Sequence, residues 1–300
     1  MKVWRIHIKP DIEAGFSRRD LLEFLKKEEI IGVGWSEIKT RENSAEAIRK
    51  EAVKYDDPSS AIKALNALRN MQIGDLIWTR LDNEYYLCQV TDLWENSKPS
   101  EMHRRFDVTN YVSVKWSDIG LETKVPGKVL SSFRPPASAQ SVSGVEDISM
   151  YLWNKYSDTD AYDIRKDNID FWTVLSSEAI EELVLLYLQV EKGFYIYSTS
   201  VKYAFPTYEC EMANIMGIRC YPQVKSGDVP LNADDYMQVL QNEPDSNVYL
   251  FSQSESYTEN NDKRVKYIYK KDIEEFVRRH KMILPDMTYG WIDLCGFFDR

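Results

Sequence analysis

The sequence predicts two domains in tandem. The first is an α+β domain built on a small β-barrel with inserted helices, and the second is a compact α/β domain with a mixed central sheet. Three observations carry this reading. The chain has 300 residues, about two domains' worth. Strand-like alternation dominates the first part, whereas the second opens with an amphipathic helix followed by a run of short strands. Between them, Arg134-Pro135-Pro136-Ala137-Ser138-Ala139-Gln140-Ser141 is rich in Pro, Ser and Ala and reads as a linker. The expected boundaries are 1–133 for the first domain, 134–168 for the linker with a connecting helix, and 169–300 for the second domain.

Each element follows from a local signal. Residues 3–8 alternate as a strand. A helix starts near Ser17, which with Asp20 makes a capping-box start; Leu21, Leu22, Phe24 and Leu25 give its apolar face. Ile30-Ile31-Gly32-Val33-Gly34-Trp35-Ser36 reads as a strand whose glycines admit close backbone approach. Residues 43–70 read as helical, with Ala61, Leu65 and Leu68 at helical spacing. Gly74-Asp75 turns into a strand, Asp82-Asn83 makes a hairpin turn into a second strand over 85–90, and 111–116 is a third. A short helix is expected over 146–156. In the second domain Ser176-Ser177 caps a helix from 178 to about 191, with Ile180, Leu183, Val184, Tyr187 and Leu188 inward and Gly193 as its end. Strands are expected at 194–199, around Glu209, up to Lys225, at 247–252 and at 265–269, and a helix at 271–281.

Composition narrows the function classes. The net charge of −10 argues against a broad nucleic-acid footprint and requires any such contact to be local. Tyr (19) and Trp (8) are abundant enough to fill cores and also to stack on bases. Cys88, Cys210, Cys220 and Cys295 lie far apart with no Cys-x-x-Cys, so they read as reduced thiols and not as a zinc site. The N-terminus has no unbroken apolar run, no segment has the apolar length of a membrane span, and the expected location is cytoplasmic. A nucleotide-binding Gly-x-x-x-x-Gly-Lys-Ser/Thr loop is absent.

The most specific pattern lies in the second domain. Tyr208-Glu209-Cys210-Glu211 reads as a strand carrying a carboxylate, and Arg219-Cys220-Tyr221-Pro222-Gln223-Val224-Lys225 as a strand ending in Gln-x-Lys. Alternation puts Gln223 and Lys225 on one face and Val224 on the other. Hard oxygen donors suit a divalent cation, and a nearby ammonium suits developing phosphate charge. The preceding helix adds Glu178, Glu181 and Glu182.

This order of helical acid, strand acid and Gln-x-Lys, over roughly residues 170–252, resembles the PD-(D/E)xK restriction-endonuclease-like superfamily in its Gln variant. The resemblance implies Mg²⁺ (or Mn²⁺) held by Glu209 and Gln223, a further ligand from Glu181, and Lys225 orienting or activating water. It departs from the family in having Glu in place of the usual Asp and Tyr208 in place of the motif proline. Glu211, two residues along the same strand face, is the alternative acid. Thr207 and Ser226 are candidate hydrogen-bond supports for the ligands.

In the first domain, Ile31-Gly32-Val33-Gly34-Trp35, Ile73-Gly74-Asp75-Leu76-Ile77-Trp78 and Tyr86-Leu87-Cys88-Gln89-Val90 leading to Trp94 look like a PUA/EVE-like domain. Met102-His103-Arg104-Arg105 and Val112-Ser113-Val114-Lys115-Trp116 add to the resemblance. It implies an aromatic pocket for a flipped base, drawn from Trp35, Trp78, Trp94 and Trp116, with His103, Arg104 and Arg105 as phosphate or base contacts. Barrel core is the competing reading for each tryptophan. Together the resemblances imply an Mg²⁺-dependent DNA endonuclease of restriction or phage-defence type that reads modified DNA, working as a homodimer or with a partner protein. The alternative is a catalytically degenerate nucleic-acid sensor or subunit of a defence complex.

Overall fold

The computed structural model describes residues 1–8, 13–164, 169–200, 208–258 and 260–299. The chain divides into two units, Met1–Val174 and Leu175–Arg300. Among the described residues no helix is long and apolar enough to cross a membrane.

The first unit is built on a curled, half-barrel sheet of six strands. They are β1 (Val3–Ile6), β2 (Ile30–Val33), β3 (Leu76–Leu81), β4 (Glu84–Asp92), β5 (Asn110–Leu121) and β6 (Ala139–Ser141), in the order β2-β5-β4-β3-β1-β6. β1 runs parallel to β3 and antiparallel to β6. The β3–β4 hairpin turns at Asp82-Asn83 as expected, with Asp82 in the left-handed region at φ 52°. Asp75 pins the parallel pair. Its buried carboxylate accepts from the Lys2 backbone N–H at 2.7 Å and the Trp4 indole N–H at 2.8 Å.

Helix α1 (Arg18–Lys27) starts on the expected capping box, with Ser17 accepting from the Asp20 N–H and the Asp20 side chain accepting from the Ser17 backbone. Leu21, Leu22 and Leu25 pack with Tyr86, Phe106 and Tyr111. The helical stretch expected over 43–70 is two helices, α2 (Ala45–Ala52) and α3 (Pro58–Arg69). Asp57 caps α3 by accepting from the Ser60 N–H, and Pro58 takes the first helical turn, where its missing N–H is not needed. The expected linker is part of the fold: β6 completes the sheet, and α6 (Glu146–Ser157) receives the Trp78 indole hydrogen bond at Ser149, 3.0 Å away. Among the described residues this unit also has three short α-helices, α4 (Glu101–Arg105), α5 (Gly127–Ser132) and α7 (Phe171–Val174).

The second unit is a five-stranded mixed sheet. Helix α8 (Ser177–Lys192) precedes β7 (Tyr195–Ile196), β8 (Met212–Ala213) and β9 (Arg219–Lys225); α9 (Met237–Asn242) then leads to β10 (Ser246–Ser252) and β11 (Val265–Ile268), in the order β11-β10-β9-β8-β7. β7, β8 and β9 are antiparallel, and β9, β10 and β11 are parallel. Ser176 caps α8 and Gly193 ends it at φ 70°. Helices α10 (Lys270–Arg279) and α11 (Asp286–Leu294) follow.

One expectation is corrected here. Glu209 lies in a bend before β8 and not in a strand, and β7 and β8 are only two residues long. Pro222 supplies the reason. Continuing the Met212–Cys220 register, Pro222 stands opposite Cys210 and has no N–H to offer it. The ladder breaks, and the Glu209 N–H bonds the Pro222 carbonyl at 2.9 Å.

Candidate functional site

β9 is central and buried. Gln223 is 4% exposed, between β8 on one side and β10 on the other. The strand alternation holds, so Gln223 and Lys225 lie on one face and Val224 on the opposite one. The Gln223 amide N–H donates to the Glu209 carboxylate, which also accepts from the Val224 backbone N–H at 3.3 Å. A carboxylate cannot donate, so the amide nitrogen must face it, and the Gln223 carbonyl oxygen is left for another partner.

Glu181, near the start of α8, reaches the same place. Burial raises its carboxyl above the ordinary value, the negative charges of Glu209 and Glu178 raise it further, and Lys225 pulls it back. Glu181 is thus near enough to Glu209 and Lys225 to feel their charges, and Gln223 touches Glu209 directly. Lys225 is partly buried and, among the described residues, forms no ion pair. Tyr236 is buried, and its phenol is pushed up to about 12 by burial, with Asp235 and Glu209 adding to the shift.

Glu211 is committed elsewhere. Its carboxylate meets Arg219 at 3.4 Å and accepts from the Tyr208 hydroxyl at 3.3 Å, while its backbone N–H donates to Ser200. Ser226 follows β9, and Thr207 lies outside the described residues.

Among the described residues no three His, Cys, Asp or Glu side chains gather as a metal-binding group. The donor set here is two carboxylates and an amide oxygen. These are hard oxygens, and the repulsion between Glu181 and Glu209 is one that a divalent cation would relieve.

The first unit holds a cavity of about 550 Å³. Trp35 and Tyr55 supply its aromatic wall, and His7, Ser36, Arg104 and Asp107 supply polar groups. Of the expected pocket residues, only Trp35 and Arg104 are here. Trp78 is fully buried and bonded to Ser149, and Trp94 is 1% exposed and donates to Asn110 at 3.1 Å. Trp116 packs between two apolar clusters. His103 is buried, stacks on Tyr111 at 4.8 Å, and accepts from the Ser100 N–H at 3.1 Å. Arg105 pairs with Glu13 at 2.9 Å and lies over the Phe16 ring.

Trp94 nevertheless acts one step behind the cavity. Asn110 accepts from Trp94 and donates to the Gly34 and Trp35 carbonyls at 2.6 and 3.2 Å. That buried amide holds Trp35 at φ 60°, a conformation costly for a bulky side chain. A Cβ on Gly34 would collide with the Asp107 carboxylate, so any other residue there would have to displace that side chain. The glycines of the Gly32-Val33-Gly34 stretch are a sequence signal for this close approach; nothing in the sequence marks Tyr55 or Asp107.

Comparison with known proteins finds no protein-family model, no curated protein and no solved structure that matches the chain.

Proposed function

We propose that this chain is a metal-dependent DNA endonuclease of restriction or phage-defence type whose first unit recognises a modified or unusual base. The observation that carries the reading is the convergence of Glu181, Glu209, Gln223 and Lys225 at the end of a central strand, preceded by α8 and an antiparallel β7–β8–β9 run. The α8–β7–β8–β9 order is the one that the PD-(D/E)xK resemblance implies, with the departure that Glu209 stands in a bend before β8 and not on the strand.

Glu209, the Gln223 amide oxygen and Glu181 would hold Mg²⁺ or Mn²⁺. When bound, the ion would supply an acidified water and counter-charge for the phosphate. Gln223 holds the Glu209 carboxylate in place through its N–H. Lys225 brings a positive charge with rotatable N–H donors, suited to orienting water and to stabilising charge that develops on the phosphate oxygens. In the first unit, Trp35 and Tyr55 offer stacking surfaces for a flipped base, whose extrusion costs a few kcal/mol.

A second reading is a nucleic-acid sensor with a degenerate nuclease core. It is favoured by the small donor set, which has only two carboxylates among the described residues.

The test is incubation of supercoiled plasmid and of modified phage DNA with the full chain in Mg²⁺, Mn²⁺ or EDTA. The expected result is metal-dependent nicking that Lys225→Ala abolishes. Absence of metal-dependent cutting, or cutting that survives Lys225→Ala, overturns the enzyme. Retained binding of modified DNA would then support the sensor.

A further inference from the structure

The parallel strands of the second unit bring one exposed tyrosine level with Lys225. Lys225 pairs with Ser252 at the end of β10, and the β10–β11 ladder closes on Phe251 and Ile268. One step further along, Tyr269 stands beside Ser252. Side chains alternate along a strand and paired residues share a face, so Tyr269 lies on the Lys225 side of the sheet. Neighbouring strands are about 4.8 Å apart, which puts the Lys225 and Tyr269 backbones about 10 Å from each other. The Tyr257 hydroxyl fixes this level. It accepts from the Ser252 N–H at 2.9 Å and donates to the Ile268 carbonyl at 2.7 Å, tying the ends of β10 and β11 together.

The Tyr257 ring backs Tyr269 edge-on at 5.7 Å, yet Tyr269 is still 39% exposed. It lines an open hollow of about 400 Å³ with Glu255, Lys270, Lys271 and Glu274. Lys271 is exposed, its ammonium lies 5.9 Å from the Tyr269 ring centre, and among the described residues it forms no ion pair. Two carboxylates make the hollow a poor site for a bare anion. An aromatic face with a lysine beside it suits a nucleotide, with the base on the ring and a phosphate on the ammonium. The charge pattern agrees. The chain carries a net charge of −10, yet residues 263–281 hold eight Lys and Arg against three Asp and Glu. Arg264 and Arg279 are taken up by Asp262 and Glu191, and the balance stays positive without them.

We propose that Tyr269 is a stacking platform for an unpaired base of the DNA strand whose scissile phosphate lies at Lys225, with Lys271 on a phosphate beside that base. The inference rests on the reading of the second unit as a nuclease. A duplex strand advances about 3.4 Å per nucleotide, so a 10 Å offset corresponds to roughly three nucleotides from the cut. A base can lie on the ring only after leaving its own stack, so the platform favours DNA that is unpaired beside the cut. Every base has a π-face, so the four bases should be held about equally.

The test measures binding of the full chain, in EDTA, to a fully paired duplex and to the same duplex with a short unpaired bulge. Wild type is expected to bind the bulged duplex about tenfold tighter. Tyr269→Ala should lower that ratio about fivefold or more, and Tyr269→Phe, which keeps the ring, should preserve it. Lys271→Ala should weaken both duplexes and reduce the salt slope by about one. If the ratio falls in Trp35→Ala and not in Tyr269→Ala, the preference belongs to the cavity of the first unit and the platform is overturned. An unchanged ratio in Tyr269→Ala, with Lys225-dependent nicking present in wild type, overturns the platform and leaves the nuclease standing. A ratio that falls in Tyr269→Ala although no metal-dependent nicking occurs supports the platform within the sensor reading. Binding to neither duplex overturns both.

Discussion

The two candidate sites are built by opposite means. The C-terminal group stands on a buried central strand, where alternation alone aims Gln223 and Lys225 the same way. The N-terminal cavity stands on loops and helix ends, and its geometry is imposed by buried polar atoms: Asn110 gripping the Gly34 and Trp35 carbonyls, and Asp107 resting on Gly34. The first arrangement suits chemistry that needs a few groups fixed at one point. The second holds strain locally and leaves open space beside it. In the strand site Gln223 grips Glu209 directly, whereas in the cavity the residues behind the wall matter as much as those that line it.

The strand site offers the strongest test of this contrast. Glu209→Gln should lower metal-dependent cleavage about 10²- to 10⁴-fold, while Glu211→Ala should leave it nearly intact, as read by plasmid nicking rates. The Glu211–Arg219 ion pair is half-exposed and contributes about 1 kcal/mol or less to stability, so Glu211→Ala should also fold normally. The opposite pattern would move the acid to Glu211.

Next is the contrast between a wall tryptophan and a core tryptophan. Trp78→Ala should cost about 3–5 kcal/mol in chemical denaturation, because it empties a fully buried site and orphans Ser149. Trp35→Ala should cost much less stability yet weaken DNA binding. Equal stability losses would mean that Trp35 is core and that the cavity has no aromatic wall to offer.

A weaker effect is expected in pH. Burial lowers the His103 imidazole pKa, against a weaker pull from Glu28, and its Nδ1 accepts the Ser100 N–H, which a protonated ring could not do. The folded value is depressed, so this contribution to stability is complete above the unfolded pKa of about 6.5 and fades as pH falls below it. Melting of wild type should therefore lose ground as pH falls below about 6.5, and His103→Asn should flatten part of that slope. An unchanged slope would return His103 to the surface role its basic neighbours suggest.

Residue spacing made the shared face of Gln223 and Lys225 legible. A Gln-x-Lys strand and a helical acid are local patterns whose directions follow from regular secondary structure. Caps and turns were equally readable at Ser17, Asp82-Asn83 and Gly193. Illegible were the features set by distant partners. Nothing near Trp94 marks it as an Asn110 donor, and nothing near Asp107 places it over Gly34. Asp57-Pro58 splits one long helical stretch because proline suits a helix start. The linker became an edge strand because β1 still needed a neighbour, which Ser- and Ala-rich composition does not announce.

Pro222 also bears on kinetics. By interrupting the ladder it leaves β7 and β8 as a two-by-two-residue ribbon, while β9 and β10 pair along seven residues. Sub-global opening follows such seams. Amide exchange should find the Glu209 segment opening alone while β9 and β10 stay closed. Lys225, paired with Ser252 at the end of β9, would stay in the slowly exchanging part of the sheet.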